Sequence, residues 1–177
     1  MNTKFGLRTE AHIRTWKIRD GVWIPHTYQI VPNGIVTTGD RWMSDVLVTA
    51  AGGTATNPYA DPAGMILGND GSTTTKGMDW VQGLLSVSGT PVVSDGSDYQ
   101  AFSSVLDDET NGRITWSASW SAAQALSSNI QEVAIVPSGT ETTSGKAVAR
   151  FTFAAVDKSG GDTPLNITVH WTANSPA

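Results

Sequence analysis

Three histidines, His12, His26 and His170, are the side chains whose ordinary pKa lies nearest neutrality, and the chain also has many serines and aspartates. A Ser-His-Asp hydrolase could draw on these types, yet no serine stands in a G-x-S-x-G elbow. All three histidines fall in strand-patterned segments, so no catalytic residue is assigned and no enzymatic activity is expected. Oxygen donors cluster in Asp107-Asp-Glu109, Asp95-Gly-Ser-Asp98 and Asn69-Asp-Gly71. None spells the D-x-[DN]-x-[DN]-G-x5-E calcium loop, so they read as solvated turns and no metal is expected. There is no Gly-rich loop between a strand and a helix to cradle phosphate, and therefore no cofactor is expected. Cysteine is absent, which removes disulfides, thiolate metal sites and a Cys nucleophile. Asn166-Ile-Thr168 matches a glycosylation acceptor, but mid-strand and without a secretion signal. Trp116 and Trp120 could form a sugar-stacking platform if exposed; their alternation with Ser and Thr reads as core instead.

Charge is the sharper signal. The net charge is −5, but residues 1–19 carry Lys4, Arg8, Arg14, Lys17 and Arg19 against Glu10 alone, a balance of +4. The other 158 residues hold six Lys/Arg and fifteen Asp/Glu, a balance of −9. A basic arm on an acidic body can dock on an acidic partner surface, including the body of a neighbouring copy. The five basic residues are the candidate partner-binding set. The bland alternative is an edge strand kept soluble by its charges. An acidic body would repel phosphate, so nucleic acid is not expected as a partner. No stretch approaches eighteen apolar residues and no signal-type apolar region opens the chain, so the expectation is a soluble protein with no membrane partner.

These residues must be positioned by strands. Ile114, Trp116, Ala118 and Trp120 alternate with Arg113, Thr115, Ser117 and Ser119. Ala147, Ala149, Phe151, Phe153 and Ala155 repeat the pattern, as do Leu165, Ile167, Val169 and Trp171. A period of two gives each segment one apolar face. Residues 65–67, 99–106 and 130–136 read as further strands. Near the start, 4–18 alternates untidily, as a strand that pairs but buries weakly would. Asp20-Gly21 turns it into a second strand over 22–31, where Pro25 requires an edge position or a bulge. One helix is expected over 38–51, capped by Thr38 and ended by Gly52-Gly53, with Trp42 and Leu47 toward the sheet and Arg41 and Asp45 toward solvent. Residues 72–97, rich in Gly, Ser and Thr, read as loop with one short strand at most. The fold expected is all-β and mainly antiparallel: a jelly-roll-like β-sandwich over 32–177, one short helix, and an N-terminal basic arm or hairpin over 1–31.

The order of pieces resembles a loosely defined family of tailed-bacteriophage virion proteins. The segments that carry the resemblance span about 30–173. They are Asn33-Gly-Ile-Val-Thr-Thr-Gly-Asp-Arg-Trp-Met-Ser-Asp-Val-Leu47, Met65-Ile-Leu-Gly68, Arg113-Ile-Thr-Trp-Ser-Ala-Ser-Trp120, Ile130-Gln-Glu-Val-Ala-Ile-Val136, Ala149-Arg-Phe-Thr-Phe153 and Leu165-Asn-Ile-Thr-Val-His-Trp-Thr172. The Leu-Gly-x-Gly turn expected after the helix appears here as Leu67-Gly-Asn-Asp-Gly71. The resemblance implies a non-enzymatic structural protein of the virion, with a jelly-roll or sandwich fold. A capsid decoration (cement) protein, a homo-oligomer expected to be a trimer and bound to the major capsid protein, is the first expectation. A tail component (fibre, baseplate or adaptor subunit) is the alternative, and a carbohydrate-binding module the second alternative.

Overall fold

The computed structural model describes residues 6–32, 34, 37–55, 61–74, 99–136 and 147–174. Most of the loop expected over 72–97 lies outside them, as do Lys4, Asp95 and Asp98. Among the described residues, nine strands and one helix follow in chain order: β1 (Gly6–Arg19), β2 (Val22–Pro32), α1 (Thr37–Ala50), β3 (Gly64–Gly68), β4 (Tyr99–Ala101), β5 (Ser104–Asp108), β6 (Arg113–Trp120), β7 (Ile130–Val136), β8 (Ala149–Val156) and β9 (Leu165–Asn174). They form a five-stranded sheet, β2-β1-β9-β6-β5, facing a four-stranded sheet, β4-β3-β7-β8, and every pairing is antiparallel. This is an all-β sandwich. The expected jelly-roll winding is not confirmed, since β1–β2, β5–β6 and β7–β8 are hairpins within one sheet.

The alternating segments face inward as their period requires. Trp116, Trp120, Phe151, Phe153, Leu165, Ile167, Val169 and Trp171 are all buried in one cluster, together with Met65 and Leu67 of β3 and Val133 and Ile135 of β7. Two expected members of that face depart from it: Ala155 is exposed and Val156 buried, because the β7–β8 register shifts between Ile130 and Glu132, and Ala147 is buried in a separate cluster with Ile66, Ala134 and Val136. The expected strand over 99–106 is split. Phe102 donates its N–H to Ala63 in one sheet and Ser103 donates to Ser117 in the other, so the chain crosses between layers there.

The helix runs one residue earlier than expected, so Thr38 lies inside it and is no cap. Its end is a Schellman turn: Gly53 N–H reaches Val48 C=O at 2.9 Å and Gly52 N–H reaches Thr49 C=O at 3.0 Å. Trp42 alone anchors it deeply, edge-on to Trp171 (5.7 Å) and Trp116 (6.4 Å), with its indole N–H on Asp61. Leu47, expected against the sheet, is 60% exposed, and Val46 and Val48 are exposed beside it. Only the first half of the helix reaches the sandwich.

The outer face of the smaller sheet holds a buried ion pair. Arg150 Nε donates to Glu132 Oε2 at 2.7 Å, with both side chains fully buried. The rest of the guanidinium binds Ser72 C=O, Asp70 C=O and Thr74 Oγ1, tying the 69–74 segment to β8. Burial pushes the Glu132 carboxyl up to about 7, against the opposing pull of Arg150. Gly34 packs so tightly that a Cβ there would stand 2.3 Å from Arg150 O and 2.7 Å from the Phe151 ring. Its N–H bonds Thr9 Oγ1 and its C=O accepts from Arg150, linking β1 to β8.

Candidate interaction surface

The candidate set begins on β1, and β1 is not the weakly buried arm its pattern suggests. It lies between β2 and β9, paired with β9 from Gly6↔Asn174 to Thr15↔Leu165. Thr9, Ala11, Ile13 and Thr15 point inward and are buried. Two of these are threonines and one is alanine, so the inward face carries little hydrophobic signal. The true edge strand is β2, and Pro25 sits at a bulge: Thr15 pairs Thr27 and Trp16 pairs Pro25, leaving His26 as the extra residue. Both features expected from Pro25 are present.

The two strands part company with the sandwich at Thr15, where β9 begins. Rungs Trp16↔Pro25, Lys17↔Ile24, Ile18↔Trp23 and Arg19↔Val22 continue as a two-stranded ribbon, roughly 13 Å long at about 3.3 Å per residue. Asp20 (φ 53°) and Gly21 (φ 77°) close it in the left-handed pair that a type I′ hairpin needs. One face of the ribbon carries Trp16, Ile18, Trp23 and Pro25; the other carries Lys17, Arg19, Val22 and Ile24. Ile18, Val22, Trp23 and Ile24 are all solvent-exposed.

The sequence-assigned basic residues do not converge. Arg8 and Arg14 lie on the outer face of the five-stranded sheet, six positions apart, while Lys17 and Arg19 occupy the opposite face of the ribbon. Arg8 meets Glu10 at 3.5 Å, and the Arg14 guanidinium lies 5.1 Å from the Tyr28 ring centre. Lys17 is close enough to Asp157 to help hold that carboxyl below its usual range, behind the stronger hydrogen bonds from Ser159.

Beside Arg14 is a relay that the sequence did not suggest. Tyr28 OH and His12 Nδ1 are 2.6 Å apart, and His12 Nε2 lies 3.0 Å from Glu10 Oε1. With imidazole neutral, Nε2–H donates to the carboxylate and Nδ1 accepts from the phenol. The His12 hydrogen bond is the main reason the Glu10 carboxyl titrates below its usual range. His170 stands edge-on to His12 at 4.6 Å and shares a hydrogen bond with Thr115; burial, then the His12 charge, lowers its pKa. As expected, His170 is on the polar face opposite Val169 and Trp171. These groups pin β2, β1, β9 and β6 together across the outer face. A neighbouring groove of about 460 Å³ is lined by Arg14, Thr15, Trp16, Pro25, Thr27 and Tyr28. It opens to solvent beside Tyr28.

Other sequence candidates resolve simply. Trp116 and Trp120 are core residues, as their alternation with Ser and Thr implies. Asp107 to Glu109 lie at the end of β5 and its turn, where Asp108 binds Asn111 and Arg113. No group of three or more His, Asp or Glu suited to a metal occurs among the described residues. No helix among them is long and apolar enough to cross a membrane. What sequence reasoning missed is the apolar content of the ribbon and of β5: Trp16, Ile18, Trp23 and Ile24, with Val105 and Leu106. The signal was available, because Trp16 and Ile18 fall on the polar parity of β1. No protein-family model, curated protein or solved structure matches this chain.

Proposed function

We propose that the chain is a non-enzymatic structural protein of a tailed-bacteriophage virion, a capsid decoration (cement) protein that clamps the outer shell. The observation that supports this reading is the projecting ribbon: an exposed two-stranded extension with apolar and basic side chains at its tip. Isolated two-stranded ribbons are marginal in water and gain by lying on another surface. Exposed Trp and Ile supply buried area in such a contact, while Lys17 and Arg19 select an acidic partner. The major capsid protein and a neighbouring copy are the partners proposed, with the virion as the location. A tail component is the alternative, and the same ribbon would serve there. The carbohydrate-binding reading loses its support with the burial of Trp116 and Trp120.

The test is location. Gold-labelled antibody to a tag on this chain should decorate the shell of purified particles. Label confined to the tail would transfer the reading to a tail component. Particles that carry no label, with the tag detected only in unassembled protein, would end it.

A further inference from the structure

The strand order β2-β1-β9-β6-β5 places two dissimilar surfaces at opposite edges of one sheet. At the β2 end one face of the ribbon offers Lys17 and Arg19 with Val22 and Ile24, the last two 62% and 37% exposed. At the β5 edge Val105 and Leu106 are 58% and 60% exposed and run directly into Asp107, Asp108 and Glu109. Each surface sets apolar residues beside charge: net basic in the ribbon, with Asp20 at its turn, and net acidic at β5, where Arg113 pairs with Asp108. Exposed large apolar residues at a strand edge are a liability unless something covers them.

We infer that each copy of this chain covers the other: the basic ribbon of one docks on the acidic β5 edge of the next. Two identical edges cannot meet this way. A β2-to-β2 contact would set Lys17 and Arg19 against their own copies, and a β5-to-β5 contact would set carboxylate against carboxylate. Like charges across an interface disfavour both. Because β2 and β5 bound opposite sides of the sheet, a copy whose ribbon sits on a neighbour turns its own β5 edge away from that neighbour, so the contact is heterologous and repeats into a ring or a fibre rather than closing as a two-fold dimer. The inference deepens the assembly reading above and rests on it, but it concerns the isolated chain and needs no particle.

Sedimentation of the purified full chain tests it. The wild type should associate beyond a dimer, with affinity falling as salt is raised. Lys17→Glu with Arg19→Glu should weaken association roughly 100-fold, and so should Asp107→Lys with Glu109→Lys. All four positions are exposed, so circular dichroism should be unchanged. Mixing the two reversed variants should restore assembly, because each acidic ribbon now meets a basic β5 edge and each basic ribbon an acidic one. Val22→Ser and Leu106→Ser leave charge unaltered and should each weaken association, which keeps the test open if a reversed variant misfolds. A wild type that stays monomeric to millimolar concentration, a closed dimer, or a mixture that fails to reassociate would each overturn the contact. A monomeric chain that still labels the shell would remove this contact and leave the clamp standing.

Discussion

Glu132 and Arg150 show what a single buried residue costs and contributes. Both are cut off from water, so removing Arg150 strips Glu132 of its cation, whereas removing Glu132 leaves Arg150 with Asp70, 3.3 Å away, as a carboxylate partner. Arg150→Met should cost about 3–5 kcal/mol in denaturant unfolding, and adding Glu132→Leu should recover most of that. The same pair dictates a pH dependence. The Glu132 carboxyl is raised from 4.5 to about 7, so the folded state holds its proton more tightly than the unfolded chain does. Its stabilising contribution is complete below pH 4.5 and is lost as pH rises through about 7. The difference in unfolding free energy between wild type and Glu132→Gln should therefore fall, by up to about 3 kcal/mol, between those limits. A flat difference would mean that Arg150 keeps the carboxylate ionised throughout. None of this was legible in the sequence. Glu132 and Arg150 stand eighteen positions apart on strands whose inward faces read correctly, and nothing marks an outward face as buried.

At the scale of elements, legibility followed hydrophobic contrast. β6, β8 and β9 declare themselves because Trp, Phe, Leu and Ile alternate with polar residues. β1 hides because its inward side uses Thr9, Ala11 and Thr15, held by neighbours on both edges rather than by size. The helix was found with the right length and stop, but periodicity shows only that an apolar stripe exists. It cannot show how far the sandwich extends beneath it. Trp42→Ala should cost about 3–5 kcal/mol, since it empties the contact with Trp116 and Trp171. Leu47→Ser should stay within about 0.5 kcal/mol, as befits an exposed position. Parallel urea titrations of the two variants would check both.

For the whole molecule, the decisive fact is that β1 and β9 are neighbours in the middle of one sheet. A detachable arm could be removed with the sandwich left standing. Here deletion of residues 1–19 should instead strip β9 of a partner and open the core beside Ile167 and Val169, so the product should be unfolded or aggregated by circular dichroism. A soluble, cooperatively melting truncation would show that β6 alone suffices to hold β9. The outer edges are managed separately: Gln29 of β2 uses its side-chain amide as a strand would, accepting from Ala154 N–H at 2.8 Å and donating to Ala154 C=O.

That central pairing also sets a timetable. β9 is the last of the described strands to leave the ribosome, and it is the one that joins β1 and β2 to β6 and β5. Until it emerges, the two hairpins are separate pieces with no common frame, and the sheet they share does not exist. A chain interrupted during translation thus cannot hold its β2 and β5 edges at the distance they have in the finished sheet.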